Sequence, residues 1–167
     1  RSWRPGRGAG GRPALGTANA SHRAVTVRLD HTIVHARDKD ASAQFLADIL
    51  GLPAPTRLEP FAIVRIGDGT TLDFMNSQGD IAQQHYAFLV SETEFDEIFG
   101  RIRERQLPYW ADPSRREQGR INTWDGGRGV YFDDPNRHLL EAITRSYGTG
   151  GTTTDRPHPL FRSGGEK

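Results

Sequence analysis

The feature that most constrains the fold of this chain is an internal repeat. A strand-like run, a capped helix and hairpin strands follow one another between residues 29 and 76, and the same order returns between residues 85 and 145. When the two copies are aligned, His31 falls on His85 and Asp38 falls on Glu92. Alternating apolar residues predict the strands, and apolar residues three and four apart predict the helices. Two copies of one unit, a strand followed by a helix and hairpin strands, are therefore expected.

Capping residues predict where both helices begin. In the first copy, Asp38 is a helix N-cap candidate, and Gly51 is placed to end the helix. In the second copy, Ser91 and Glu94 have the spacing of a capping box. Between the predicted strands of the first copy, Gly67-Asp68-Gly69 is a hairpin signal. These local signals indicate an α+β domain.

Charge is distributed unevenly along the 167 residues. Residues 1–28 hold six arginines and no acid, whereas residues 29–145 hold 13 basic and 19 acidic residues. We predict a disordered basic tail over 1–28, a folded domain over 29–148 with modules 29–76 and 85–145, and a C-terminal tail over 149–167. An acidic body argues against nucleic acid as a partner.

Further function classes are excluded by what the sequence lacks. The chain contains no cysteine, which excludes a disulfide framework, thiolate zinc sites and a cysteine nucleophile. It contains neither the apolar run of a membrane span nor the apolar core of a secretory signal. A cytoplasmic protein without membrane contact is expected.

Ionisable residues occur at matching places in the two copies. Strand alternation puts His31 on one face with Ile33 and His35, whereas His85 and Glu141 each share a face with apolar residues. A carboxylate among apolar neighbours needs partners, because an unpaired buried charge is unfavourable. Two histidines and one carboxylate form the facial triad of non-haem Fe(II) sites and also bind Mn²⁺, Zn²⁺, Ni²⁺ or Co²⁺. We therefore predict a metal site with an inward orientation, in which Fe²⁺ is favoured.

The segment from Tyr131 to Glu141, YFDDPNRHLLE, together with Leu29-Asp30-His31 and the paired modules, resembles the vicinal oxygen chelate superfamily. That superfamily contains glyoxalase I, extradiol dioxygenases, fosfomycin-resistance enzymes and bleomycin-binding proteins. The resemblance implies two paired βαβββ modules forming an open mixed β-barrel with helices outside. It also implies His31, His85 and Glu141 as metal ligands, and a homodimer as a candidate assembly.

Two residues depart from the family pattern. Arg137 stands where the turn before the last strand usually has glycine, so a left-handed backbone there would be occupied by a less suitable residue. Asp73 stands where glyoxalase-type sites carry a second carboxylate. It is a candidate fourth ligand, with a pocket residue or a hydrogen-bonded strand residue as the alternatives.

The reaction is less constrained than the fold. Tyr131 stands ten residues before Glu141, as a substrate-binding tyrosine does in extradiol dioxygenases, but Asn122 occupies the region of their acid–base histidine. His35 is a second catalytic candidate, with a structural role at the barrel rim as its alternative. Three residues of a glycine-rich loop are candidates for binding substrate: Asn122, Trp124 and Arg128. The alternative is that this loop is a plain connector.

Three other histidines receive no catalytic role. His138 is expected to be structural, because it precedes the last strand in the family turn. His22 and His158 lie in the predicted tails and are assigned no chemical function.

The sequence therefore predicts a divalent-metal enzyme that binds a small molecule through adjacent oxygens. An Fe(II) extradiol-type dioxygenase is narrowly favoured. A glyoxalase-like lyase or isomerase with Asp73 as fourth ligand is the alternative enzyme. A metal-free drug-binding resistance protein is the alternative from a different class.

Overall fold

A computed structural model describes residues 27–67, 69–149, 156, 158 and 159. Most of the predicted N-terminal tail, including His22, lies outside these residues. Most of the predicted C-terminal tail and Asp68 lie outside them as well. The first module contains β1 (His31–Ala36), α1 (Lys39–Leu50), β2 (Thr56–Leu58), β3 (Phe61–Ile66) and β4 (Thr70–Asn76). The second contains β5 (His85–Leu89), α2 (Glu92–Glu104), β6 (Tyr109–Trp110), β7 (Gly129–Asp133) and β8 (Leu139–Ile143).

Each module builds one mixed sheet, and the two sheets have the same topology. Their strand orders are β1-β4-β3-β2 and β5-β8-β7-β6, with a parallel pair at the start of each. The α+β class with two paired βαβββ modules is confirmed. β2 is a three-residue strand that the sequence patterns did not predict.

Both helices begin, and α1 ends, where the capping residues predict. The Asp38 carboxylate accepts a hydrogen bond from the Ala41 amide, and Gly51 ends α1 with φ +72°. Ser91 and Glu94 form the complete capping box of α2. These hydrogen bonds satisfy amide groups that a helix start leaves without partners. None of the helices described reaches the length and apolarity needed to cross a membrane.

The core lies on the helix side of both sheets. Val34 and Ala36 of β1 are buried with apolar residues of α1, α2 and β8 in one continuous cluster. The opposite face of β1, which carries His31, Ile33 and His35, is exposed. The inward orientation predicted for this histidine face is therefore wrong within a single chain, because the helices cover the other face.

The turn that carries the family motif also joins the two modules. Asn136 accepts a hydrogen bond from the Arg37 amide at 2.9 Å and donates one to the Ser42 hydroxyl at 2.8 Å. His138 is buried, donates from Nε2 to the His35 carbonyl at 2.9 Å and accepts from the Gln84 amide at 3.0 Å. Both ring nitrogens of His138 therefore have structural partners.

Arg137 has φ +67°, so this turn keeps the left-handed backbone that glycine usually supplies. Replacing Arg137 with glycine is expected to raise the free energy of unfolding by about 0.5–1 kcal/mol, because the strain from Cβ disappears. Chemical denaturation measures this change. Arg137→Ala is the matched control and should bring no gain, because it keeps Cβ. A glycine variant no more stable than the alanine variant would show that the turn is unstrained.

Candidate metal centre and its pocket

Glu141 is the centre of the site in the second module. It lies on β8, opposite Ala87 of β5, and its side chain is completely buried. Its Oε2 atom accepts a hydrogen bond from the Tyr147 hydroxyl at 2.5 Å and lies 3.3 Å from His85 Nε2. Its Oε1 atom is buried and has no hydrogen-bond partner among the described residues. A buried carboxylate oxygen without a partner is unfavourable unless another group binds there.

The ring of His85 has the orientation of a metal ligand. Its Nδ1 atom lies 3.0 Å from the Leu139 carbonyl oxygen, which can only accept, so Nδ1 carries a proton. Nε2 therefore faces Glu141 with a lone pair when the ring is neutral. The hydrogen bond to Glu141 raises the pKa of His85, which means that a positive charge is favoured between these groups.

These two residues fit a divalent cation. Their donor atoms are 3.3 Å apart, close to the separation of two ligands that each bind one cation at roughly 2.0–2.2 Å. A cation at this position would replace the proton on His85 and bind Glu141 through Oε2.

The first module carries a matching pair of residues. His31 lies two residues before Ile33, which pairs with Asp73 of β4, just as His85 lies two residues before Ala87, which pairs with Glu141. Asp73 is buried at its strand position, and its Oδ1 atom accepts a hydrogen bond from the Thr71 hydroxyl at 2.7 Å. We call His31 and Asp73 the first half-site, and His85 and Glu141 the second half-site.

The two half-sites do not meet within one chain. His31 has a side chain that is 57% exposed and pairs through Nδ1 with Asp30 at 2.7 Å. The hydrogen bond to Asp30 raises the pKa of His31. Among the described residues, no three histidine, aspartate or glutamate side chains form a group able to hold a metal. The ligand set His31, His85 and Glu141 therefore stays a prediction.

Tyr131 lies beside the second half-site. Its ring stacks on His85 at 6.0 Å between centroids, and its hydroxyl lies 3.0 Å from the Tyr147 hydroxyl. Because the Tyr147 proton points to Glu141, Tyr131 donates to Tyr147. Burial is the main cause of the raised pKa values of Tyr131 and Tyr147. Both phenols therefore stay protonated and act as hydrogen-bond donors.

The other predicted site residues have different surroundings. Asn122 is buried and donates to the Ala111 carbonyl at 2.9 Å, whereas Trp124 packs edge-on against Tyr131 at 6.4 Å. Arg128 binds Glu92 and Asp96, each at 2.6 Å, at the start of α2. The roles of Asn122, Trp124 and Arg128 in binding substrate stay predictions. Of these three residues, only Trp124 contacts Tyr131, which lies beside the second half-site. His35 stays a prediction as well, on the exposed face that carries His31.

Three residues at or beside Tyr147, which donates to Glu141, had no role in the sequence-based prediction: Asp125, Tyr147 and His158. His158 was placed in a tail without chemical function, yet it is buried and stacks on Tyr147 at 3.9 Å between ring centroids. The contact joins residues from separate segments of the chain, so no periodic pattern could reveal it. The only local sign in the sequence that this segment packs on the domain was Tyr147, an aromatic residue next to a glycine-rich stretch.

The chain belongs to the Glyoxalase/Bleomycin resistance protein/Dioxygenase superfamily, whose family model matches residues 28–142. It is 62% identical to the solved structure of the oxidase ChaP-H1, with a TM-score of 0.72 over 73% of this chain and 98% of that one. It is 61% identical to the solved structure of the oxidase ChaP-H2, with a TM-score of 0.74 over 76% of this chain and 100% of that one. The glutathione transferase FosA of Serratia marcescens is 26% identical over 119 residues, 68% of this chain and 77% of FosA.

Proposed function

We propose that this protein is a metal-dependent oxygenase that acts on a small aromatic compound with adjacent oxygen atoms. The observation that carries the proposal is the pairing of His85 Nε2 with the fully buried Glu141, whose Oε1 atom has no partner among the described residues. The high identity to two structures named as oxidases supports the redox class over the lyase class.

The walls of the neighbouring cavity support an aromatic substrate. The cavity has a volume of about 250 Å³ and is lined by His85, Trp124, Tyr131, Tyr147 and His158, with two prolines. Ring faces and edges favour a flat partner, and phenol and imidazole groups can bind its oxygens. A planar diol with one or two rings is the substrate class proposed.

A bound divalent metal would supply a Lewis acid for two substrate oxygens and, as Fe²⁺, would relay electrons from the diol, which is the group oxidised, to dioxygen. His85 and Glu141 would hold it, with Leu139 fixing the imidazole of His85 through its carbonyl group. Tyr131 and Tyr147 remain neutral donors, and Tyr147 holds Glu141 in place through Oε2.

We further propose that a second copy of the chain completes the site. His31 and Ile33 lie on an exposed face of β1, and His85 and Leu89 lie on an exposed face of β5, with Ile33 44% and Leu89 62% accessible. An exposed apolar sheet face commonly marks an interface. Pairing the first half-site of one chain with the second half-site of another would bring His31 to the exposed imidazole of His85, beside Glu141, and bury both faces.

Oxygen consumption tests the reaction class. Protein reconstituted with Fe²⁺ under argon and then mixed with aerated catechol or 1,2-dihydroxynaphthalene is expected to consume dioxygen and give a ring-cleaved product. Protein without metal should consume none. The absence of oxygen uptake with any aromatic diol would contradict the oxygenase proposal.

A glyoxalase-like lyase is the second candidate, because Asp73 occupies in β4 the place that Glu141 occupies in β8. In that case, protein loaded with Ni²⁺ or Zn²⁺ would isomerise a hemithioacetal, and Asp73→Asn would lower this activity. The oxygenase proposal predicts no hemithioacetal turnover.

A further inference from the structure

A residue close to the C-terminal end of the described chain lies in the wall of the pocket. His158 shares the 250 Å³ cavity with His85 and Tyr131, although it is far from both in the sequence. Its ring stacks on Tyr147 at 3.9 Å and meets the edge of Trp124 at 4.8 Å between centroids. His158 is therefore held between two aromatic side chains, beside the group that would carry the metal.

Asp125 anchors this arrangement. Its carboxylate accepts hydrogen bonds from the His158 amide at 3.0 Å and from the Gly148 amide at 2.8 Å, and its own amide donates to the Arg156 carbonyl at 2.7 Å. Asp125 is buried and has φ +55°, a left-handed conformation that is unfavourable for a residue other than glycine. Backbone strain of this kind persists only where the surrounding contacts hold it, and it is concentrated at functional sites.

The pocket needs a group that accepts a proton. An aromatic diol binds a metal through oxygens that have lost hydrogen, so at least one hydroxyl proton must leave during binding. Tyr131 and Tyr147 stay protonated, because burial raises both pKa values. His85 and Glu141 are the proposed ligands, and the side-chain amide of Asn122 has no basic site and donates to Ala111.

Among the groups that line this cavity, His158 has the properties that the others lack. Burial lowers its pKa, so the ring is neutral at neutral pH and can accept a proton. Among the described residues, the carboxylates of Asp125 and Glu141 both favour the protonated ring once it forms. Tyr147 and Trp124, packed against the ring, carry no charge.

We propose that His158 is the general base of the site and takes the proton of a substrate hydroxyl. The O–H bond of the diol breaks, an N–H bond forms on the imidazole, and the electron pair stays on the substrate oxygen. The proton returns to solvent or to product when the product leaves, so His158 is regenerated without an oxidant. This inference rests on the proposed function, because it needs a substrate with an ionisable hydroxyl group.

Binding of 4-nitrocatechol to zinc-loaded protein tests the inference without turnover, because the absorption of this probe reports its ionisation. For His158→Gln we expect the ionisation of the bound probe to move upward by about one pH unit or more, since the internal acceptor is lost. Zinc affinity should stay within about threefold of wild type, since His158 is not a ligand. With Fe²⁺, turnover should fall by about 100-fold or more, and added imidazole should restore part of it.

Asp125→Ala is the second variant, because it keeps the imidazole and removes the anchors of its backbone. It should shift the ionisation of the probe in the same direction. A His158→Gln protein with the pH profile and turnover of wild type would overturn the inference and leave the proposed function standing. Loss of zinc binding in that variant would also overturn it, by showing that His158 positions the metal site. A wild-type protein that binds zinc but not the probe would instead overturn the proposed function, and the inference with it.

Discussion

Glu141→Gln is expected to weaken divalent-metal binding by at least about 100-fold and to abolish metal-dependent turnover. Glutamine has nearly the same shape as glutamate but no charge, so the fold is kept while the anionic ligand is lost. The fully buried position of Glu141 leaves no water to replace the missing charge. Titration with Zn²⁺, followed by calorimetry, measures the change in affinity.

The same variant should have an opposite effect on stability. Without metal, wild-type protein buries a carboxylate whose Oε1 atom has no partner among the described residues, and this burial is unfavourable. The metal-free Glu141→Gln protein is therefore expected to be at least as stable as wild type in chemical denaturation. Glu104→Gln, at the exposed end of α2, is the matched control and should change neither property. Metal affinity within threefold of wild type in Glu141→Gln would contradict the assignment of this ligand.

Mixing two inactive variants is expected to restore activity. His31→Ala damages only the first half-site, and His85→Ala damages only the second. If each metal site joins the first half-site of one chain with the second half-site of another, a dimer of one His31→Ala chain and one His85→Ala chain contains one intact site. Its other site is damaged in both halves. Random reassociation should then recover about a quarter of the wild-type sites.

The measurement is the number of bound metal ions after the two variants are unfolded together and refolded. Each variant refolded alone should bind almost none. A site contained within one chain would give no recovery on mixing, because every chain would lack one ligand. Normal binding by His31→Ala alone would show that His31 is not a ligand.

Local sequence signals were sufficient for the starts of both helices, the end of α1 and the turn before β8. Asp38 and Gly51 bound α1, and the capping box of Ser91 begins α2, because caps depend on residues that are close together in the chain. The turn before β8 was recognised from its motif, and Arg137 keeps the left-handed backbone expected for its position. Such features require no knowledge of long-range packing.

The orientation of the histidine faces could not be predicted in the same way. Alternation shows that His31 and His35 share a face with Ile33, but both faces of β1 contain apolar residues. Which face meets the helices depends on packing of α1 and on what covers the other side. The amino-acid sequence of one chain contains no direct signal that a second chain would cover this face.

The pocket wall was missed for a related reason. Asp125 binds the backbone amides of Gly148 and His158, two separate segments that carry Tyr147 and His158 into the pocket wall. In the sequence Trp124-Asp125-Gly126-Gly127, nothing distinguishes Asp125 from an ordinary loop residue, although it is buried and has a left-handed backbone. Contacts across 33 residues, like that between Asp125 and His158, lie beyond any helix or strand period.

The metal content of the protein tests the central claim most directly. Wild-type protein stripped with chelator, incubated with Fe²⁺ under argon and freed of excess metal should retain one metal ion per chain by elemental analysis. His85→Ala protein treated identically should retain almost none, because the second half-site loses its nitrogen ligand. Wild-type protein that retains no metal, or His85→Ala protein that retains as much as wild type, would contradict the account.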